Sequence, residues 1–167
     1  MDKKIQYSIN DFDISLAKQS DIMDVDRLSN DFVVRENSFN SKSISLDDHI
    51  EWFNEKIKSE ESLFFVVRDL NGMLVAQVRF DRIVKKSDDY IITIHLDAKR
   101  RGSGLGTFLL SLISNKLINE FNAKKIIAYV KPMNVASKKI FLKVGYVLVG
   151  KEVINGLEAF KFKYSNL

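Results

Sequence analysis

Residues 100–110 read Arg-Arg-Gly-Ser-Gly-Leu-Gly-Thr-Phe-Leu-Leu. Three alternating glycines and two arginines sit between an apolar, strand-like run, Tyr90 to Leu96, and a long apolar-periodic segment, Leu105 to Phe121. Glycine lets the backbone approach a phosphate closely, and the free amides at a helix start point at it. The chemistry of this corner is that of gripping a phosphorylated ligand. A second polar cluster, Asn134-Val135-Ala136-Ser137, leads into Ile140-Phe141-Leu142-Lys143-Val144-Gly145-Tyr146. Two histidines, His49 and His95, are the side chains able to exchange a proton near neutral pH. The chain has no cysteine, which excludes a cysteine nucleophile, a disulfide framework and a thiolate metal site. No metal is expected.

The elements that must position these residues follow from periodicity. Asp13 to Ala17 reads as a first strand, and Ser20 caps a helix to about Ser29. Residues 31–44 read as polar and irregular. A second helix starts at Ser45, carries His49, Trp52 and Phe53, and ends near Lys58. Leu63 to Arg68 and Met73 to Asp81 flank Asn71-Gly72, a favoured hairpin turn. Tyr90 to Leu96, the glycine corner and the helix to Phe121 come next. Lys125 to Lys131 is a strand stopped by Pro132, the only proline. Asn134 caps a helix that Gly145 ends, and Tyr146 to Ile154 and Leu157 to Tyr164 flank a second hairpin turn, Asn155-Gly156. This order predicts one mixed α/β domain over residues 1–167 around a central sheet. With 46% hydrophobic and 29% charged residues the composition is globular. No signal peptide and no bilayer-spanning run is read, so a cytoplasmic protein is expected, with no membrane partner. The net charge of +4 is not gathered into blocks, which argues against nucleic-acid binding and leaves room for an anionic ligand.

A Walker loop would need a lysine after the last glycine, where Thr107 and Phe108 stand. A dinucleotide fingerprint would need Gly-x-Gly-x-x-Gly near the first strand. Arg101-Gly102-Ser103-Gly104-Leu105-Gly106 instead resembles the acetyl-coenzyme-A pyrophosphate loop of the GNAT acetyltransferase superfamily. The Asn134 to Tyr146 segment is similar to that superfamily's second signature, and the order of elements agrees over nearly the whole chain. The resemblance implies a mostly antiparallel mixed sheet of about seven strands, flanked by about four helices and splayed between the fourth and fifth strands. It implies acetyl-CoA as co-substrate. The loop, Arg101, Gly102, Ser103, Gly104, Gly106 and Thr107, would hold the pyrophosphate. Ile94 and Leu96 would pair with the pantetheine arm, and Asn134 and Phe141 would line the cofactor. It also implies an N-acetyltransferase working by direct transfer, since no cysteine can carry the acetyl group. A homodimer is a further implication.

Two departures from the family pattern bear on mechanism. The tyrosine that often protonates the leaving thiolate is Phe141 here. A thiol of ordinary pKa ~8.5 can leave as thiolate unaided. Tyr129 and Tyr146 are nearby substitutes, both read as packing residues. The strand glutamate that often serves as base is missing from Tyr90 to Leu96, so His95 or His49 is expected to accept the ammonium proton.

At the acceptor end, Arg35-Glu36-Asn37-Ser38, Ile44-Ser45 and His49-Ile50-Glu51-Trp52-Phe53 resemble acetyltransferases acting on amino-sugar nucleotides, among them those of the pseudaminic-acid pathway. That likeness implies Arg35, Asn37, His49 and Trp52 as acceptor contacts, with Arg35 on a diphosphate and an aromatic ring on uracil. Protein N-terminal amines, including those of ribosomal proteins, and small amines are the alternatives within the family. A non-catalytic acyl-CoA-binding module is the alternative outside enzymes.

Overall fold

The computed structural model describes residues 6–9 and 11–166. They build one sheet in the order β1-β2-β3-β4-β5-β6-β8-β7. Its strands are β1 (Gln6–Ile9), β2 (Phe12–Leu16), β3 (Ser62–Asp69), β4 (Leu74–Arg82), β5 (Asp89–Leu96), β6 (Lys125–Val130), β7 (Val147–Ile154) and β8 (Leu157–Tyr164). The helices are α1 (Ile22–Ser29), α2 (Phe32–Asn37), α3 (Leu46–Lys58), α4 (Leu105–Glu120) and α5 (Val135–Val144). No helix of the described residues is long and apolar enough to cross a membrane.

The seven expected strands are all present, preceded by β1, which pairs antiparallel with β2. Periodicity failed at α2. Phe32, Val33 and Val34 are consecutive rather than spaced three or four apart, so residues 31–44 show no helical period, yet Asp31 accepts hydrogen bonds from the amides of Val33 and Val34 and starts a helix. Asn134 caps α5 as expected, Ser45, where the second helix was expected to start, caps α3, and Gly145 ends α5 at φ 106°.

Two cores sandwich the sheet. On one face α4 buries Leu105, Leu109, Leu110, Ile113 and Leu117 against Val78, Phe80, Ile92 and Ile126. On the other, Val25 and Leu28 of α1 and Phe53 of α3 pack on Phe64, Val66 and Leu74. Each of these fully buried side chains contributes about 1.5–3 kcal/mol. The shared sheet therefore acts as a rigid floor for whatever lies between the helices.

All neighbours in the sheet are antiparallel except β5 and β6. That parallel pair is registered only at Asp89↔Lys125, Tyr90↔Ile126 and Ile91↔Ile127. Beyond Ile91 the strands part, although β5 runs on to Leu96 and β6 to Val130. These two are the fourth and fifth of the seven strands expected from sequence, so the splay lies where the resemblance put it.

Candidate functional site

The opening between β5 and β6 exposes a specific set of backbone groups. Asp97 donates its N–H to Val75 O and Asp89 O accepts from Ile83, so odd-numbered residues of β5 turn their backbone toward β4. Even-numbered residues therefore turn theirs the other way. Past Ile91, where β6 has left, the backbone groups of Ile92, Ile94 and Leu96 face the opening. A linear amide-bearing chain laid there could bond to them as an added strand. Ile94 and Leu96 are the two residues expected from sequence to do so.

The glycine corner stands above this opening, and three carboxylates pin its approach. Buried Asp97 accepts from Arg27 at 2.6 Å and from the Lys99 amide. Asp69 takes Arg100 at 2.7 Å, and Asp31 takes Arg101 at 2.5 Å. The crest, Gly102 to Gly104, is left uncovered. No acceptor is matched to the N–H groups of Gly102, Ser103 and Gly104 among the described residues. Gly106 and Thr107 lie in the first turn of α4, whose amides have no acceptor within the helix. Gly102 and Gly104 have φ of 72° and 87°, and a Cβ on either would meet nothing within 4 Å. Gly106 serves a different purpose, because a Cβ there would stand 2.9 Å from Leu96 Cδ1, so it lets α4 lie close on β5. A pyrophosphate would therefore be held by bare amides, and these residues fit it.

Arg101 is engaged within the chain. Its guanidinium turns back to Asp31 and to Leu96 O at 3.2 Å, away from the crest. Ser103 likewise spends its hydroxyl on Arg100 O at 2.6 Å. Asn134 caps its own helix through the Ser137 amide at 3.2 Å. Phe141 is a core residue. It is 5% exposed, set edge-on to Tyr146 and stacked with Phe162. Tyr146, a nearby substitute, is buried, which raises its hydroxyl far above the ordinary range, and Ser114 Oγ lies 2.8 Å from it. Tyr129 is also raised, by burial and then by Glu152.

The acceptor residues divide in the same way. His49 is fully buried, with Nε2 on Ile22 O at 2.7 Å and its ring against Trp52 and Phe53. It ties α3 to α1. Trp52 packs on Phe64 and carries the Arg79 guanidinium 4.9 Å from its ring centre, which occupies the surface a uracil would need. Asn37 donates to Val33 O within its own helix.

Arg35 lies near enough to His95 for its charge to act on the ring. Burial first, then the charges of Arg79, Arg35 and Arg101, push the His95 imidazole down to about 3, so it is a weak base for an ammonium proton. Arg101 is matched by Asp31 and Arg79 by Asp81. Arg35 has no carboxylate partner among the described residues. Its guanidinium nitrogens donate to Asn40 O and Ser38 Oγ, its Nε is buried with no acceptor, and burial lowers its pKa. Sequence reasoning missed Asp31, Gln77 and Arg79. Asp31 preceding an apolar triplet is a capping signal, and polar residues at alternate positions of a strand are a signal for one polar face.

Residues 14–147 match the family model of the acetyltransferase (GNAT) domain. None of the curated protein sequences matches the chain. Among solved structures, spermidine N-acetyltransferase from Vibrio cholerae, in complex with CoA and spermine, is 20% identical and superposes with a TM-score of 0.82, covering 93% of this chain and 95% of that one. The ribosomal-protein-S5-alanine acetyltransferase from Vibrio fischeri is 18% identical with a TM-score of 0.81, covering 97% of each chain. An N-acetyltransferase from Staphylococcus aureus Mu50 is 20% identical with a TM-score of 0.79, covering 93% and 99%.

Proposed function

The chain belongs to the acetyltransferase (GNAT) family, and we propose that it moves the acetyl group of acetyl-CoA directly to the primary amine of an anionic acceptor, an amino-sugar nucleotide. The observation that carries the reading is the opened edge of β5 beneath a crest of uncovered amides. It supports a diphosphate at the crest and a thioester arm along the strand, with the thioester near the polar face that bears His95 and Arg35. In the transfer the amine nitrogen forms a bond to the acetyl carbon, the carbon–sulfur bond breaks, and the thiol leaves as thiolate. The amine proton goes to solvent. Backbone N–H groups on the open side of β5 would stabilise the developing oxyanion.

Arg35 supports the anionic acceptor. A partly buried guanidinium with no carboxylate beside it is stabilised by an incoming phosphate or carboxylate, and the same charge repels a polyamine. A polypeptide amino terminus is the second reading, favoured by Phe32 and Met133, 77% and 90% exposed on the segments that flank the opening.

Free thiol release from acetyl-CoA, measured with amino-sugar nucleotides, N-terminal peptides and polyamines, tests this directly. Turnover with the sugar nucleotides is expected. Turnover only with peptides would replace the acceptor assignment, and tight coenzyme binding without turnover on any amine would make the chain a binding module.

A further inference from the structure

On the α1 side of the sheet, Gln77 of β4 and His95 of β5 stand opposite each other in register. Gln77 is 2% exposed. One end of its amide meets two partners, Ser29 Oγ at 3.0 Å and His95 Nδ1 at 2.5 Å, while the other end is buried with none. The partners decide which end is nitrogen. With oxygen at the shared end, the far end would be a buried NH2 whose two hydrogens find no acceptor. With nitrogen there, a single carbonyl oxygen goes without a donor. Orphaned buried N–H groups are rarer and cost more than an under-satisfied carbonyl. The amide therefore donates one hydrogen to Ser29 and one to His95 Nδ1.

That fixes the imidazole. Nδ1 accepts, so the neutral ring carries its proton on Nε2. Nε2 meets no partner among the described residues, and His95 is only partly buried. The charged groups acting on the ring are Arg79 from β4, Arg35 from α2, Arg101 from the glycine corner and Asp31 at the head of α2. A ring among three guanidiniums and one carboxylate does not readily take a second proton.

We infer that Gln77 is a positioning residue that sets the tautomer of His95, and that His95 meets the acceptor as an N–H donor to one of its oxygens rather than as a base for its amine. This rests on the acetyl-transfer reading above. It narrows the acceptor to amines with a hydroxyl, carbonyl, carboxylate or phosphate oxygen within reach of the reacting nitrogen. A plain polyamine lacks such an oxygen.

Two measurements test it. Long-range 1H–15N correlation spectra of the uniformly labelled protein at neutral pH need resolve only two imidazoles, and His95→Gln identifies which signals belong to His95. The expected pattern is a single tautomer with Nε2 protonated and Nδ1 bare. Gln77→Glu, which presents an acceptor to Nδ1, should move the proton there. An Nδ1-protonated ring in the unsubstituted protein would overturn the inference, whether or not the chain turns over any amine. In the activity arm, His95→Ala should lower kcat/KM for the acceptor about 10- to 100-fold with the coenzyme KM unchanged. His95→Gln, which keeps an N–H donor but has no basic nitrogen, should recover most of that loss. Equal losses in the two variants would mean that proton acceptance matters, and the donor role would fall.

Discussion

Valine in place of Gly104 separates two costs that a glycine loop usually confounds. Gly104 sits at φ 87° and ψ −7°, just before α4. An L-residue in this left-handed region costs about 1–2 kcal/mol, and a β-branched one more. A Cβ built there meets nothing within 4 Å, so no clash within the chain adds to the strain. For a chain of this size that strain lowers Tm by roughly 2–8 °C. The coenzyme meets a second cost, because the new side chain stands where the amides of the crest would approach a diphosphate. Losing one hydrogen bond to a charged group, at about 1.5–3 kcal/mol, weakens binding roughly 10- to 150-fold. Gly156 supplies the control. It lies in the β7–β8 turn at φ 78°, also with nothing within 4 Å of a Cβ. Thermal unfolding without ligand should show similar losses for Gly104→Val and Gly156→Val. Calorimetric titration with CoA should show weakened binding for Gly104→Val alone. Wild-type CoA affinity in Gly104→Val, or an equal loss in Gly156→Val, would refute the placement of the phosphates.

Three further outcomes are expected. The His95 pKa is depressed from 6.5 to about 3, so the stability it contributes is full above pH 6.5 and drains as the pH falls toward 3, at up to about 1.4 kcal/mol per unit. Urea midpoints for His95→Gln should accordingly vary less than wild type between pH 6.5 and 4, and parallel curves would contradict the depression. Asp31→Ala removes the cap of α2 and should cost about 0.5–2 kcal/mol. Burial raises the Asp31 pKa, but Arg101 and the amides of Val34 and Val33 outweigh it and hold the carboxyl below its usual range. The stability gap between wild type and Asp31→Ala should therefore persist above pH 4 and close as the pH falls further. Arg35→Met should raise the acceptor KM about tenfold or more while leaving the coenzyme KM alone. A change in coenzyme affinity only would show that the two sites have been divided wrongly.

The backbone shape of the glycine corner and the bounds of α5 were legible because their signals are local. Glycines at alternate positions after a strand specify a backbone shape, and Asn134 and Gly145 mark both ends of α5 without reference to anything distant. The acceptor side was not legible, because its residues are defined by what packs on them. His49 and Trp52 have the residue types of a binding pocket, yet α1 closes over one and Arg79 over the other. Arg101 has the charge for a phosphate, yet a carboxylate 70 residues away claims it. Gln77 looked like an ordinary polar residue on a strand. Only the pairing of β4 with β5 sets it against His95.

The same long-range contacts join the two halves of the site. α2 has six residues and spans about 9 Å, too short to persist without support. Its first turn is held through Asp31 by Arg101, which also bonds to Leu96 O at the end of β5. Its last turn is held by Lys131, just past β6, whose Nζ donates to Glu36 O at 2.8 Å. One short helix thus bridges the ends of the two strands that have parted, and its length limits how far they can separate. Arg35 projects from that bridge, so under the proposed reading an anionic group bound there would be referenced to both walls of the opening. A phosphate pulling Arg101 toward the crest would loosen the Asp31 end of the bridge, and with it Arg35. Coenzyme and acceptor affinities should therefore depend on one another through Asp31, and Asp31→Asn, which keeps a capping oxygen but gives up the ion pair, should weaken that dependence while α2 remains folded.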